Sequence, residues 1–326
     1  MNATSSAPFV RTVLGDIPPE SLGVCYAHEH LIIDHSVATL RFPDFLLPST
    51  DNAVAELSAF YAQGGRAMVD SMPCDAGRNV WKLATISRAT GVHIVCPTGV
   101  HLAKYYDEGH WSGAYSSEQL ADLFVADIEE GIDAGDYAGP LVSRTEHRAG
   151  VIKAATSERL WGEREERVFR AAAIAHCRTG APILTHTEQG VGALEQAEFL
   201  RDHGVDLAHV VISHTDRKPD AAYHRDILQT GVCVEYDSGF RWRTDDNPTL
   251  DLVVELIAEY PTQIMLGMDA ARPSYWTSYG GAPGLNYLLD EFSARLRSRG
   301  VTSQQWQRIF VDNPAAAYQF AARPDN

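Results

Sequence analysis

Apolar runs of six to eight residues recur down the chain, with amphipathic stretches between them. The runs at residues 23–30, 67–72, 93–99, 150–155, 182–187, 209–215, 232–237 and 263–269 are rich in Val, Ile, Leu and Met and show little alternation. Strands buried on both faces read this way, as in a parallel sheet covered by helices. Between them, apolar residues return at helical spacing over 52–63, 78–90, 116–134, 163–179, 192–203, 220–230 and 248–260, and again over 284–299 and 304–320. Ser116 offers an N-cap, and Gly91, Gly180, Gly204 and Gly231 stand directly after predicted helices as stop residues. Eight strands alternating with helices predict an α/β fold, a (β/α)₈ TIM barrel with its active site at the C-terminal ends of the strands. An open doubly wound sheet is the competing arrangement, but no GxGxxG follows the first strand. No linker, repeat or low-complexity segment interrupts the pattern, so residues 1–326 are read as one domain.

Composition narrows the setting. A chain of 326 residues with 45% hydrophobic and 21% charged residues suits a soluble globular protein. No apolar run approaches the roughly 18 residues of a membrane span. Residues 1–8 are small and polar, without the charged and apolar regions of a signal peptide, so the cytoplasm is the expected compartment. A net charge of −16 argues against nucleic acid or an anionic membrane as partner. An anionic substrate would need a local cluster of cations. Of the cysteines (25, 74, 96, 177 and 233), four lie in or beside apolar runs, form no CxxC pair and read as inert core thiols.

The chemistry starts at His28-Glu29-His30, which closes the first strand. Strand side chains alternate faces, so positions 28 and 30 point one way and Glu29 the other. Two adjacent imidazoles make half of a site for zinc or its neighbours. Further polar residues fall in or at the end of later strands: Lys153 in the fourth, His186 in the fifth, His214 in the sixth and Asp269 in the eighth. Each has a plainer role when taken singly. A strand-end His more often bonds a loop, a Lys in an apolar strand snorkels, and an Asp after a strand caps the next helix. Their joint occurrence at one end of five strands is what those roles leave unexplained.

In that order the chain resembles the phosphotriesterase-like branch of the amidohydrolase superfamily, from Gly15-Asp16-Ile17 to Asn313-Pro314. The stretches that carry the resemblance are Ala27-His28-Glu29-His30-Leu31, Ile152-Lys153, Thr185-His186-Thr187-Glu188, His214-Thr215-Asp216-Arg217 and Gly267-Met268-Asp269. The resemblance implies a distorted barrel with two divalent metals, His28, His30 and Asp269 on one and His186 and His214 on the other. Lys153, carboxylated by CO₂, would bridge them. Zinc leads the candidates, with manganese, cobalt and iron admissible. A hydroxide shared by the metals would attack the substrate, with Asp269 catalytic as the group that relays its proton. A homodimer is one admissible assembly.

Loops after the seventh and eighth strands are the usual phosphate site of such barrels. They carry Arg241, Arg272 and Tyr275, two guanidiniums and a phenol suited to a phosphate dianion. Here the chain resembles one subgroup, the phosphorylated-furanose lactonases, in which a cation after the seventh strand and an Arg and a Tyr after the eighth hold the sugar phosphate. The competing role for Arg241, Arg243 and Arg272 is that they are solvated or paired with Asp245 and Asp246. The acyl-homoserine lactonase branch carries a Tyr after the third strand, where this chain has Gly99-Val100-His101. That departure favours a small polar substrate and makes His101, Lys104 and Tyr105 candidate lining residues. Asp216 and Arg217 are expected to orient other side chains rather than the substrate. The expected function is a metal-dependent hydrolase opening a lactone, foremost a phosphorylated sugar γ-lactone. The alternative is a lactonase, carboxylesterase or organophosphate triesterase for uncharged substrates.

Overall fold

The computed structural model describes residues 7–157, 161–242 and 246–322. A short antiparallel hairpin, β1 (Val10–Thr12) and β2 (Gly15–Ile17), precedes the barrel. The barrel strands follow as β3 (Cys25–Glu29), β4 (Ala67–Asp70), β5 (His93–Val95), β6 (Pro97–Gly99), β7 (Val151–Thr156), β8 (Ile183–Thr187), β9 (Val210–Ser213), β10 (Cys233–Tyr236) and β11 (Ile264–Leu266). All pair in parallel, β3-β4-β5 in one run and β6 through β11 in the other. The two runs are joined because β5 and β6 are halves of the expected third strand. Pro97 has no N–H to extend the ladder, so residues 93–95 pair with β4 and residues 97–99 with β7.

The other seam, between β11 and β3, closes without a regular ladder. The Asp269 N–H donates to the His28 carbonyl at 3.1 Å. The N–H groups of Met268 and Ala270 donate to the buried Glu29 carboxylate at 2.8 and 3.3 Å. Glu29 therefore has a structural task on the face away from the histidines: it clips the last strand to the first.

One apolar cluster fills the barrel with residues from every side, among them Ala67, Val95, Val151, Leu184, Val211 and Met265. Val10 of β1 and Tyr318 join it, and the Tyr318 hydroxyl donates to the Ala27 carbonyl at 2.6 Å. A larger cluster, including Phe60, Leu83, Phe124, Phe169 and Leu256, lies between strands and helices. Both faces of the strands are thus covered, which is why their sequences alternate so little.

Several boundaries differ from the predicted ones. The helix predicted over 116–134 runs Ser117–Glu129. Gly131 stops it, with φ +138° and its Cα so close to Thr145 that a Cβ would meet the carbonyl oxygen at 1.9 Å. The helices predicted over 284–299 and 304–320 are interrupted by wide π-type turns at Leu288–Phe292 and Arg308–Asp312. Pro314 explains the second, since its ring crowds the carbonyl four residues back and supplies no N–H. The β1–β2 hairpin was not predicted, because three-residue strands give no periodic signal. Cys25, Cys74, Cys96 and Cys233 are buried, as expected of core thiols, while Cys177 is exposed. Among the described residues no helix is long and apolar enough to cross a membrane.

Gly99 of β6 pairs with Lys153 of β7 at φ +104°, and a Cβ there would stand 2.0 Å from the Lys153 carbonyl oxygen. Gly99→Ala is expected to lower the stability measured by urea unfolding by about 3 kcal/mol or more. At Gly91, which caps a helix at φ +73° with 3.6 Å of room, the same change should cost only about 1 kcal/mol.

Candidate active site

The predicted metal-binding side chains meet at the C-terminal mouth of the barrel. His28 is the fourth residue of β3 and His30 lies one beyond its end. Lys153 is the third residue of β7, deeper than a strand end, and His186 is the fourth of β8. His214 and Asp269 follow β9 and β11 in left-handed backbone conformations, φ +65° and +48°. Side chains other than glycine rarely adopt these conformations, and such strain concentrates at functional positions.

Ring centroids of His28 and His30 are 5.6 Å apart, those of His28 and His214 4.7 Å, and those of His186 and His214 4.5 Å. Asp269 Oδ1 lies 3.2 Å from His30 Nε2 and 3.8 Å from His28 Nε2. Two of the Nδ1 atoms are engaged elsewhere: His28 with Ser213 Oγ at 2.8 Å, and His214 with the buried Asp237 carboxylate in a short hydrogen bond. Such contacts fix the imidazole orientation and leave Nε2 for a ligand.

The donor set suits divalent metals. Burial, reinforced by Lys153 and His214, pushes His28 well below the usual histidine range. Burial and His214 take His186 down to about 3, and burial and Arg217 lower His214. Three imidazoles are therefore neutral, the form that binds metal. Lys153 is 1% exposed, and its Nζ has no hydrogen-bond partner among the described residues. Burial pulls its ammonium down to about 8, against the opposite pull of Asp269 and Glu235. A buried amine without a partner is costly unless something else binds there.

Around Asp269, two arginines and two carboxylates alternate. Arg217 Nη2 donates to Asp269 Oδ2 at 2.7 Å and to Asp237 Oδ1 at 3.2 Å. Arg241 donates to Asp237 Oδ1 and to Asp269 Oδ2, each at 3.1 Å. Burial alone would raise the Asp269 carboxyl, but His30, His214, Arg241 and Arg217 together hold it well below the usual carboxylate range.

Above lies a cavity of about 490 Å³ lined by His28, His30, His186, His214 and Asp269 at its floor and by loop residues at its walls. Arg241, Arg272, Tyr275 and His101 all line it, as do Lys104 and Tyr105. The Arg272 guanidinium has no carboxylate or hydrogen-bond partner among the described residues and lies 5.2 Å from the centre of the Phe45 ring. Its loop is held by buried Glu56, which accepts from Thr277 Oγ1 and Ser278 N at 2.6 Å and from Leu285 N at 3.1 Å. Arg241 pairs with the carboxylates of Asp237 and Asp269. Arg243 and Asp245 lie outside the described residues.

A parallel barrel with imidazoles, a lysine and an aspartate converging on its C-terminal mouth defines a metal-dependent hydrolase. The chain belongs to the phosphotriesterase family, whose model matches residues 8–318. This is a family of binuclear metal enzymes, and its hydrolases act on ester bonds. A phospho-furanose lactonase from Mycoplasmopsis synoviae is 34% identical over 96% of this chain and 92% of its own length. The crystal structure of an amidohydrolase from Mycoplasma synoviae superposes with a TM-score of 0.94 at 34% identity, covering 98% of this chain and 94% of that one. A lactonase from Listeria monocytogenes gives 0.89 at 30% identity, covering 96% and 99%.

Sequence reasoning saw part of one contributor and missed two others. Arg217 was expected to orient neighbours, which it does through Asp237 and Asp269, but it also lines the cavity. Its signal was a charge three residues beyond a strand-end histidine. Asp237 stands at the end of the seventh strand and holds His214. Glu188, two residues after His186, lines the cavity. Asp216 does what was expected of it, accepting from Ser238 N at 2.8 Å and Thr249 Oγ1 at 2.7 Å.

Asp237→Asn leaves both arginines short of a buried counter-charge and should cost about 3 kcal/mol of stability in urea unfolding. Arg299→Ala, which breaks an exposed pair with Asp251, should cost no more than about 0.5 kcal/mol.

Proposed function

We propose that this protein is a metal-dependent lactonase that opens a phosphorylated sugar γ-lactone to its hydroxy acid. The observation that carries the phosphate is Arg272. In a chain of net charge −16, its guanidinium lines the cavity without a carboxylate partner among the described residues, and Tyr275 lines the same cavity. An unpaired planar guanidinium beside a phenol is what a phosphate dianion requires. Arg241 shares its donors with Asp237 and Asp269, so its part is smaller than the sequence suggested. The name of the Mycoplasmopsis relative, a phospho-furanose lactonase, agrees with this reading.

His28, His30 and Asp269 would hold one divalent ion and His186 and His214 the other, with Lys153 between them as its carbamate. A metal pair supplies a nucleophilic oxygen from water at neutral pH and an electrophile for the substrate carbonyl. Zinc is the first candidate for the metals. Asp269 accepts the proton released as water adds to the carbonyl carbon, and returns it to the ring oxygen as the carbon–oxygen bond breaks. Arg217 and Arg241 keep its carboxylate ionised, so once protonated it is a strong acid that gives the proton up readily to the leaving alkoxide. Arg272 and Tyr275 hold the phosphate and orient the ring, with His101 on the cavity wall.

Initial rates on matched γ-lactones, with and without a terminal phosphate, test this reading. A preference of about a hundredfold for the phosphorylated member, near 2.7 kcal/mol, is expected. Arg272→Ala should erase it mainly by raising KM for that member. Equal rates on the two would remove the phosphate, and uncharged lactones, esters and triesters would become the substrates to examine.

The carbamate has its own signature. The Lys153 amine loses its proton as pH rises through about 8. Only the neutral amine adds CO₂, so metal reloading of stripped protein should rise with pH across that range and with added bicarbonate. Metal content by atomic emission checks it, and Lys153→Met should abolish the bicarbonate response.

A further inference from the structure

Lys104 and Glu188 form an ion pair apart from the phosphate clamp, and it touches the metal-site residues only through His186. Lys104 Nζ lies 2.8 Å from Glu188 Oε2, joining the loop after β6 to the loop after β8. These are the third and fifth strand positions of an eight-strand ring, flanking the point opposite the eighth. Arg272 and Tyr275 come from the eighth, so the pair faces the phosphate end across the barrel mouth. Both partners line the cavity, with side chains 43% and 22% exposed.

The carboxylate is positioned and only half used. Its contacts, with Lys104 and with His186 Nε2 at 3.5 Å, both fall on Oε2. Among the described residues Oε1 has no hydrogen bond. The backbone that presents it is constrained: Gln189 has φ +54°, followed by Gly190 at +74° and Gly192 at +84°. A Cβ on Gly190 would stand 2.8 Å from Lys218 N and Thr215 O, so the loop is packed hard against the one after β9. Among the described cavity-lining residues the carboxylates are Asp269 and Glu188, and Asp269 is committed to His30, Arg217 and Arg241.

We infer that Glu188, held by Lys104, determines specificity by accepting hydrogen bonds from the ring hydroxyls of the substrate, selecting a polyhydroxylated lactone over a deoxy one. This rests on the lactone reading above and extends it to the other end of the substrate. Two ends are then read separately: an anion by Arg272 and Tyr275, and vicinal hydroxyls by Glu188 and the remaining protons of the Lys104 ammonium. A site built to bond a hydroxyl discriminates strongly against the analogue that lacks it, because its own polar groups are left unpaired.

The test compares two phosphorylated γ-lactones, one carrying both ring hydroxyls and one with hydrogen in their place, on the metal-loaded enzyme and on Glu188→Ala, Glu188→Gln and Lys104→Met. Glu188→Ala is expected to lower kcat/KM for the dihydroxy lactone by about 10- to 100-fold, mostly through KM, while moving the dideoxy value by less than about threefold. Glu188→Gln keeps an acceptor oxygen and should recover part of the loss, and Lys104→Met should act in the same direction with smaller size. An equal fall on both lactones, or loss of bound metal from Glu188→Ala and Glu188→Gln, would assign Glu188 to the support of His186 and overturn the inference. Thermal unfolding of each variant separates these results from misfolding, with Glu188→Gln as the milder change. A wild-type enzyme that opens neither lactone sinks the lactone reading and this inference with it. One that opens both, with variants that change the two rates by the same factor, sinks this inference alone.

Discussion

Two aspartates and two arginines alternate across the barrel mouth, and the rest of the site depends on that arrangement. Asp237 comes from the end of β10, Asp269 from beyond β11, Arg217 from the loop after β9 and Arg241 from the loop after β10. Each arginine contacts both carboxylates. Burying one such charge alone would cost several kcal/mol, so each group is tolerable because the others are present. The network also holds the left-handed backbones of His214 and Asp269. Each carries strain on the order of 1–3 kcal/mol, sustained only when neighbours over-determine the conformation. Asp237 further fixes the His214 ring through Nδ1. The ionised state of Asp269, imidazole orientation and loop register are therefore one electrostatic unit.

The barrel was legible because its strands are buried on both faces and its helices end at glycine. Continuous apolar runs and recurrent stop residues are strong periodic signals. The HxH, Lys, His, His, Asp order was legible for a different reason: those residue types recur in or at the ends of five strands, and helix-packing sequence seldom supplies them together. What stayed hidden has no period. Three-residue strands at β1 and β2, the split at Pro97 and the π-type turns near Pro314 are decided by single residues. Glu29 was read only as the residue facing away from the metals. That it closes the barrel seam by accepting from Met268 and Ala270 depends on residues more than two hundred positions away.

The cavity wall was half legible. Arg241, Arg272 and Tyr275 were placed in the cavity by their loops, but sequence could not say how each guanidinium divides its donors. Arg241 is largely committed to Asp237 and Asp269, which leaves Arg272 as the freer cation. The division is electrostatically sensible. In a chain of net charge −16, a guanidinium placed next to the Asp269 carboxylate is drawn to it. Only one kept away from carboxylates, here over the Phe45 ring, stays open to an anion.

Lys153 shows how backbone packing reaches into chemistry. It lies in mid-strand rather than at the end of β7, and its charge acts on both His28 and His186. From that depth a carboxylate side chain is short, whereas the lysine stem carries its nitrogen outward, and under the proposed reading CO₂ would supply the anionic group at its tip. Such a residue needs its strand held tightly against the neighbour that sets its height. Gly99 does this: it pairs with Lys153 at a separation where no Cβ fits, and it stands two residues before His101 on the cavity wall. The missing side chain of a glycine thereby sets the position of the lysine on which the metal pair would be built.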